Sequence, residues 1–278
     1  RPSRIAVLRA NALGDYIFAI PALESLRAAY PDAEIVLLGA PWHARFLAGR
    51  PGPVDRVLVV PPLPGIREPE RGEAAQPSRA ARAEFVAAAR DECFGLALQL
   101  HGGGCNSNPL VSDLGAKLTA GLRSEHAPPL DRWVRYTYYQ QEIFRYLEVV
   151  GLVGAAPVTY QPRLLVTGAD RARLRAVLPP PSRPRVALHP GASDPRRRWP
   201  VDRFAAVADA LADAGAEVVV TGTSAESATV DGVLAALRTP AIALVDAVDL
   251  GSLAALYAEC AVVVSTDTGP AHLAEAVG

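Results

Sequence analysis

The chain has 278 residues, half of them hydrophobic, with 28 Lys and Arg against 29 Asp and Glu and a formal net charge of −1. That balance excludes a disordered polyelectrolyte and argues against a nucleic-acid partner, while the length suits two domains with ample cores. Three cysteines, Cys93, Cys105 and Cys260, are odd in number and widely spaced, which fits neither a disulfide framework nor a paired metal site and points to the cytoplasm. No apolar run approaches the ~20 residues of a membrane span, and the start "RPSRIAVLRA" lacks the long apolar region of a signal peptide, so any membrane contact is peripheral.

Short β-branched runs alternate with Ala-, Leu- and Arg-rich amphipathic stretches. In chain order the pattern predicts a strand "RIAVLR" (4–9), a helix over 15–30, strands "EIVLLG" (34–39) and "VDRVLVV" (54–60), a helix at 79–90, a strand "FGLALQL" (94–100) and a helix at 137–150. Residues 61–78, "PPLPGIREPERGEAAQPS", read as a long exposed loop of the kind that often covers a site. A second series follows: "VALHPG" (186–191), a helix at 201–214, "EVVVTG" (217–222), a helix at 224–237, "AIALVD" (241–246), a helix at 250–258 and "AVVVST" (261–266). The proline cluster "LPPPSRPR" (178–185) marks the passage between the two series, and the domains are placed at 1–160 and 161–278. Apolar strands alternating with helices imply an α/β class with parallel sheets covered on both faces. Two such doubly wound units are expected to face each other across a cleft, with ligands outside the carboxyl ends of the strands. The second series has four strands and stops inside a helix without a C-cap motif, so a further C-terminal portion is expected.

Five stretches lie where strands end. In "STDTGPAH" (265–272), Pro270 suits a first helical turn, so Asp267, Thr268 and Gly269 crowd a helix N-terminus that can seat a phosphate, or else form an ordinary cap. His272, four residues after Thr268, shares its helical face. "HPGASDPRRRWP" (189–200) gives a glycine, the Ser193 hydroxyl and three arginines, one of which should point inward to neutralise a diphosphate; a solvated loop is the alternative. In "TGTSAE" (221–226), Glu226 either closes a capping box with Thr223 or accepts ribose hydroxyls. In "RANALGD" (9–15), Gly14 permits a tight turn, and Asp15 is a cap, a general base or a group that orients an incoming hydroxyl. Asn11 and Gly14 there, with His101, Gly102 and Gly103 of "HGGG" (101–104), are candidate acceptor or phosphate contacts. "HGGG" is similar to the oxyanion-hole element of lipases, but no G-x-S-x-G elbow accompanies it, so a hydrolase of that fold is excluded. Cys105 reads as a small residue rather than a nucleophile, and His43 and His126 as surface or core residues. No clustered metal-ligand motif is found.

Taken together, "RIAVLRANALGDYIFAIPALESLRAAYPDAEIVLL", "HPGASDPRRRWPVDRFAAVADAL", "VVVTGTSAE" and "VVVSTDTGPAHLAEAVG" resemble glycosyltransferase family 9, the group of the bacterial lipopolysaccharide heptosyltransferases. The resemblance implies a GT-B fold: two Rossmann-like domains, the first binding the acceptor and the second the nucleotide sugar. It also implies inverting transfer without a metal or other cofactor, with a nucleotide-diphosphate sugar such as ADP-heptose as substrate and a glycan, glycolipid or small-molecule acceptor. A cytoplasmic protein, at most touching the inner face of the membrane, follows. Asp15 resembles the family's proposed base, Glu226 its ribose-binding glutamate, and Asp267, Thr268, Gly269 and His272 its donor-binding set, with Ser193 beside them. Arg197 stands where the family usually has a phosphate-contacting lysine, which keeps the charge but changes reach and geometry. A nucleotide-sugar epimerase or hydrolase of the same architecture, and a non-catalytic nucleotide-sugar binding protein, are the rival readings.

Overall fold

Ile5, Ala6, Val7 and Leu8 are all buried, as an uninterrupted apolar run must be when its strand lies inside a parallel sheet. The computed structural model describes residues 1–70, 72–73 and 78–278. That run is β1 (Arg4–Leu8), followed by α1 (Leu13–Ala29), β2 (Glu34–Gly39), α2 (Pro41–Leu47), β3 (Arg56–Val59), α3 (Arg79–Asp91), β4 (Leu96–Gln99), α4 (Ser107–Asp113), β5 (Leu118–Arg123), β6 (Arg132–Arg135) and α5 (Glu142–Gly151). The strands form one six-stranded sheet in the order β3-β2-β1-β4-β5-β6, and every pairing is parallel. The order reverses between β1 and β4, so the chain just after Leu8 and just after Gln99 lies at the switch point, where such sheets bind ligands.

The second series begins with α6 (Gly168–Val177) and β7 (Arg185–His189), then α7 (Val201–Asp213), β8 (Glu217–Gly222), α8 (Ser227–Ala236), β9 (Ile242–Val245), α9 (Leu250–Glu259), β10 (Val262–Ser265) and α10 (Gly269–Val277). Its parallel sheet has the order β10-β7-β8-β9. The switch point falls between β7 and β10. Val186 and Leu188 of β7 and Val218 and Val220 of β8 share a core cluster with Phe204, Ala208, Val230 and Val233 of the covering helices.

The two compact units are Arg1–Arg163 and Leu164–Gly278. The proline cluster is therefore a loop inside the second unit, between α6 and β7, and not the passage between the two series. The reason is α6, which sequence reading missed: Thr167 and Asp170 close a capping box at its start, and Arg173 joins Asp170 to Asp249 at the head of α9. Proline marks a turn of either rank. The exposed-loop reading of 61–78 also needs correction. Leu63 and Ile66 are buried in the cluster that holds Leu110 and Leu114, and Arg67 is buried with its Nε on the Val60 carbonyl. Residues 71 and 74–77 of that stretch lie outside the described residues. The helix expected at 137–150 starts only at Glu142, and the one expected at 224–237 opens with a short 3-10 turn, Ser224–Glu226.

Arg185 ties the base of the second unit together. Fully buried, it pairs with Glu217 of β8 and Glu259 of α9 and donates to the Pro179 carbonyl at 2.9 Å. Arg185→Leu leaves both carboxylates without this partner and is expected to destabilise the protein by about 3 kcal/mol, read as a lowered midpoint in urea denaturation. A midpoint at the parent's value would show that the pairs contribute nothing net.

Candidate active-site residues at two switch points

In the first unit the chain leaves β1 at Arg9, a residue only 3% exposed. Its guanidinium donates to the Leu100 carbonyl beyond β4 at 2.7 Å and to the Asp15 carbonyl at 3.2 Å, and Nη2 lies 2.6 Å from Asp15 Oδ1. Asp15 is therefore not a cap. The N-cap of α1 is Ala12, without a side-chain bond, and the Asp15 carboxylate, one turn in and about one third exposed, is turned back onto Arg9. Arg9 Nη2 also stands 4.0 Å from Glu142 Oε2 of α5, and the guanidinium lies over the Tyr146 ring at 5.0 Å. The Tyr146 hydroxyl donates to Glu142, and burial pushes its phenol far up. Sequence reading missed Arg9, Glu142 and Tyr146. The available signal was an arginine set directly after a central strand, where a full charge needs a partner.

The other candidates of this unit divide. Gly14 sits in the first turn of α1 with no left-handed conformation, so it makes no tight turn. The Asn11 carbonyl accepts the Trp42 indole N–H at 3.2 Å, and its side-chain Oδ1 is buried without a hydrogen-bond partner. His101 is buried, takes the Ala10 N–H on Nδ1 at 3.5 Å and bonds the Gly65 backbone. It pins three loops together, so its ring is not available as an acceptor contact. Gly102 has φ +61 and open space where a Cβ would project, so a ligand can approach the backbone there. A Cβ on Gly103 would lie 3.1 Å from Ser124, and one on Gly104 (φ +96) would lie 2.7 Å from the Leu122 carbonyl, which makes Gly104 a packing requirement. Cys105 is exposed, with Sγ 3.4 Å from Ser124 Oγ. His43 is a core residue: Nδ1 accepts the Ala40 N–H at 2.9 Å and the ring stacks on Trp42.

In the second unit the loops after β7 and β10 carry the donor candidates. Of the three arginines, Arg196 pairs with Asp194 and Arg198 donates to the Ala192 carbonyl, whereas Arg197 reaches the β10 end. Arg197 Nη1 donates to the Asp267 carbonyl at 3.0 Å and lies 3.6 Å from its carboxylate, and Nη2 donates to Ser193 Oγ at 3.3 Å. His272 Nε2 lies 3.7 Å from the other Asp267 oxygen. Thr268 holds the N-cap position of α10 with no side-chain cap bond, so the cap alternative is not realised and the first backbone N–H groups of the helix donate no bond to the Thr268 side chain. Asp267 is exposed.

For Glu226 the capping box is realised: Oε2 accepts the Thr223 N–H and hydroxyl, both at 2.9 Å. Oε1 faces His189 Nε2 at 3.6 Å, and His189 Nδ1 meets Thr221 Oγ1 at 3.0 Å. His189 and the Thr223 donors hold the Glu226 carboxyl down at about 2. A Cβ on Gly191 would lie 2.8 Å from Glu226 Cγ, so the glycine of "HPG" makes room for this carboxylate. Among the described residues no group of three or more His, Cys, Asp or Glu is placed to hold a metal ion, and no helix is long and apolar enough to cross a membrane.

Burial, with the nearby Arg9 charge, pushes His101 down to about 4 and His43 down to about 3. The folded protein thus holds both rings neutral while the unfolded chain protonates them near 6.5. Their contribution is complete above about pH 6.5 and is lost as pH falls towards the folded values. His101→Gln and His43→Gln should each flatten the fall in the urea midpoint between about pH 6.5 and 4.5. A slope identical to the parent's would mean that these rings are not the acid-sensitive groups.

The family model for "Glycosyltransferase family 9 (heptosyltransferase)" matches residues 85–278. Lipopolysaccharide heptosyltransferase 2 of Escherichia coli (strain K12) is 34% identical over 100 residues, which are 34% of this chain and 29% of that protein, so the alignment spans less than a third of the relative's length. The solved glycosyl transferase family 9 protein from Veillonella parvula DSM 2008 superposes with a TM-score of 0.82 at 21% identity, over 99% of this chain and 78% of that one. For the E. coli ADP-heptose lps heptosyltransferase II the values are 0.78 and 22%, over 99% and 82%. At these identities the structures carry the fold, which is GT-B, two doubly wound α/β units. The family match covers well over half the sequence, and the chain belongs to glycosyltransferase family 9.

Proposed function

We propose that the protein is an inverting, metal-independent glycosyltransferase that moves a sugar, with heptose as the first candidate, from a nucleotide-diphosphate sugar to an acceptor hydroxyl. What carries this reading is the anion seat of the second unit: Arg197, forked between Ser193 and the Asp267 carbonyl, beside the start of α10. A cation and a helix N-terminus at one strand end are what a departing diphosphate requires. Glu226, with Oε2 taken by Thr223, offers Oε1 to the ribose hydroxyls, and Asp267 and His272 complete the donor contacts. In the first unit Arg9 holds the Asp15 carboxylate in one orientation, and Asp15 takes the proton of the acceptor hydroxyl. As that oxygen bonds to the anomeric carbon, the bond to the diphosphate breaks and its electron pair leaves with the diphosphate. Attack opposite the leaving group inverts the configuration. The open backbone at Gly102 is an acceptor contact in this reading. The acceptor is a lipopolysaccharide-type glycolipid or a related glycan, and the domains keep their assigned roles, 1–160 for acceptor and 161–278 for donor.

Two experiments test this. A calorimetric panel of nucleoside diphosphates and their sugars, with ADP and ADP-heptose included, should give saturable binding that Arg197→Ala weakens about tenfold. Asp15→Asn should cut transfer at least about 100-fold while leaving ADP binding intact. Near-normal transfer by that variant removes Asp15 from the mechanism. Sugar release or epimerisation at full rate without any acceptor would favour a hydrolase or epimerase instead, and binding without turnover for every acceptor a non-catalytic protein.

A further inference from the structure

Two carboxylates address one buried guanidinium. Arg9 Nη2 is 2.6 Å from Asp15 Oδ1 and 4.0 Å from Glu142 Oε2, and its remaining nitrogens are committed to the Leu100 and Asp15 carbonyls. Glu142 is itself fixed from both sides, since Tyr146 donates to Oε2 and Arg145 to Oε1. Arg145, 1% exposed, is anchored in turn by the carbonyls of Thr137 at 2.6 Å, Tyr138 at 3.2 Å and Gln140 at 2.9 Å. The other titratable rings near Arg9, His43 and His101, are held neutral by burial and by its charge, so they add no second positive charge beside it.

The reaction proposed above takes Asp15 through a neutral state, and this inference rests on that reading. While Asp15 carries the acceptor's proton, Arg9 keeps a full charge in a site almost closed to water, and a buried charge stripped of its partner is strongly disfavoured. Glu142 then stands on the same nitrogen as the remaining carboxylate. We propose that Glu142, aligned by Tyr146 and Arg145, is a positioning residue that holds Arg9 and supplies its counter-charge while Asp15 is protonated. The proton passes from the acceptor hydroxyl to Asp15 and then to solvent, and Glu142 neither gains nor loses one. A merely structural Glu142, bonded i,i+3 to Arg145 at the start of α5, has no reason to respond to the state of Asp15.

Asp15→Asn imitates the protonated state, so the parent, Asp15→Asn, Glu142→Gln and the double variant form a cycle that needs no substrate. In urea denaturation the unfolding constant of the double variant should exceed the product of the single effects by about tenfold. Simple multiplication of the single effects overturns the proposal. With ADP-heptose as donor and a lipopolysaccharide core as acceptor, Glu142→Gln should lose at least about tenfold in kcat with KM for ADP-heptose and Kd for ADP unchanged. Glu142→Asp should recover part of that loss, and the milder Tyr146→Phe should show a smaller one. Parent-like kcat in Glu142→Gln counts against the idea. An Asp15→Asn variant that transfers normally sinks the base assignment and this inference together, whereas an inactive one with no coupling in the cycle sinks only the role of Glu142.

Discussion

Arg9 carries a full positive charge at 3% exposure, planted where the central strand of the first sheet ends. A charge there persists only if the surrounding chain supplies acceptors, and three separate segments do so: the loop after β4 through the Leu100 carbonyl, α1 through Asp15, and α5 through Glu142 and the Tyr146 ring. The loops at the switch point are consequently not free to wander. His101 adds a neutral crosslink between the chain after β1 and the Gly65 turn, and the geometry at Asp15 inherits the rigidity of all of them. Placement of a carboxylate is the first requirement of a base, ahead of its affinity for protons.

The second unit solves a different problem with a similar sheet. Its interior polar chain, Tyr257 to Thr221 to His189, is buried and internally bonded, and it ends 3.6 Å from the partly buried Glu226 in the loop after β8. The cation beside the start of α10 stays towards solvent, unlike Arg185: the Arg197 side chain is 41% exposed, and the Asp267 carboxylate next to it is more so. A buried arginine with its partners in place suits a group that must not move. A half-exposed arginine beside a helix start without a side-chain cap is what the proposed diphosphate seat calls for.

Most of this scaffold was legible as alternation: β1, β2, β4, β7, β8 and β10 each carry an uninterrupted apolar stretch of at least three residues, which identifies them directly. The sequence pattern does not reveal β5 and β6. Gly121 interrupts the first of these because a Cβ there would lie 2.6 Å from Gln99 Cβ, and the second, "RWVR", is an edge strand with three exposed residues. The short helices α2 and α4 give too few turns for a periodic signal. Residues that act near a helix start were picked out by their spacing, including Asp15, Glu226 and Thr268, but spacing could not separate a cap from a ligand contact. Hydrogen bonds decide only the capping half of that question: Glu226 closes a capping box, while Thr268 and Asp15 make no side-chain cap bond. Glu142 and Tyr146 lie over a hundred residues from Arg9, and only the packing of α5 on α1 brings them to it.

The arginine at position 197 can now be set against the lysine expected there. A lysine ammonium is a compact charge on a flexible stem, with its three donors on a single nitrogen. The guanidinium of Arg197 has a rigid fork, and both tips are in use: one on the Asp267 carbonyl after β10, the other on the Ser193 hydroxyl after β7. The side chain therefore laces together the two loops of the switch point as well as supplying charge. The 3-10 turn at Pro195–Arg197, capped by Asp194, sets the direction from which the fork arrives.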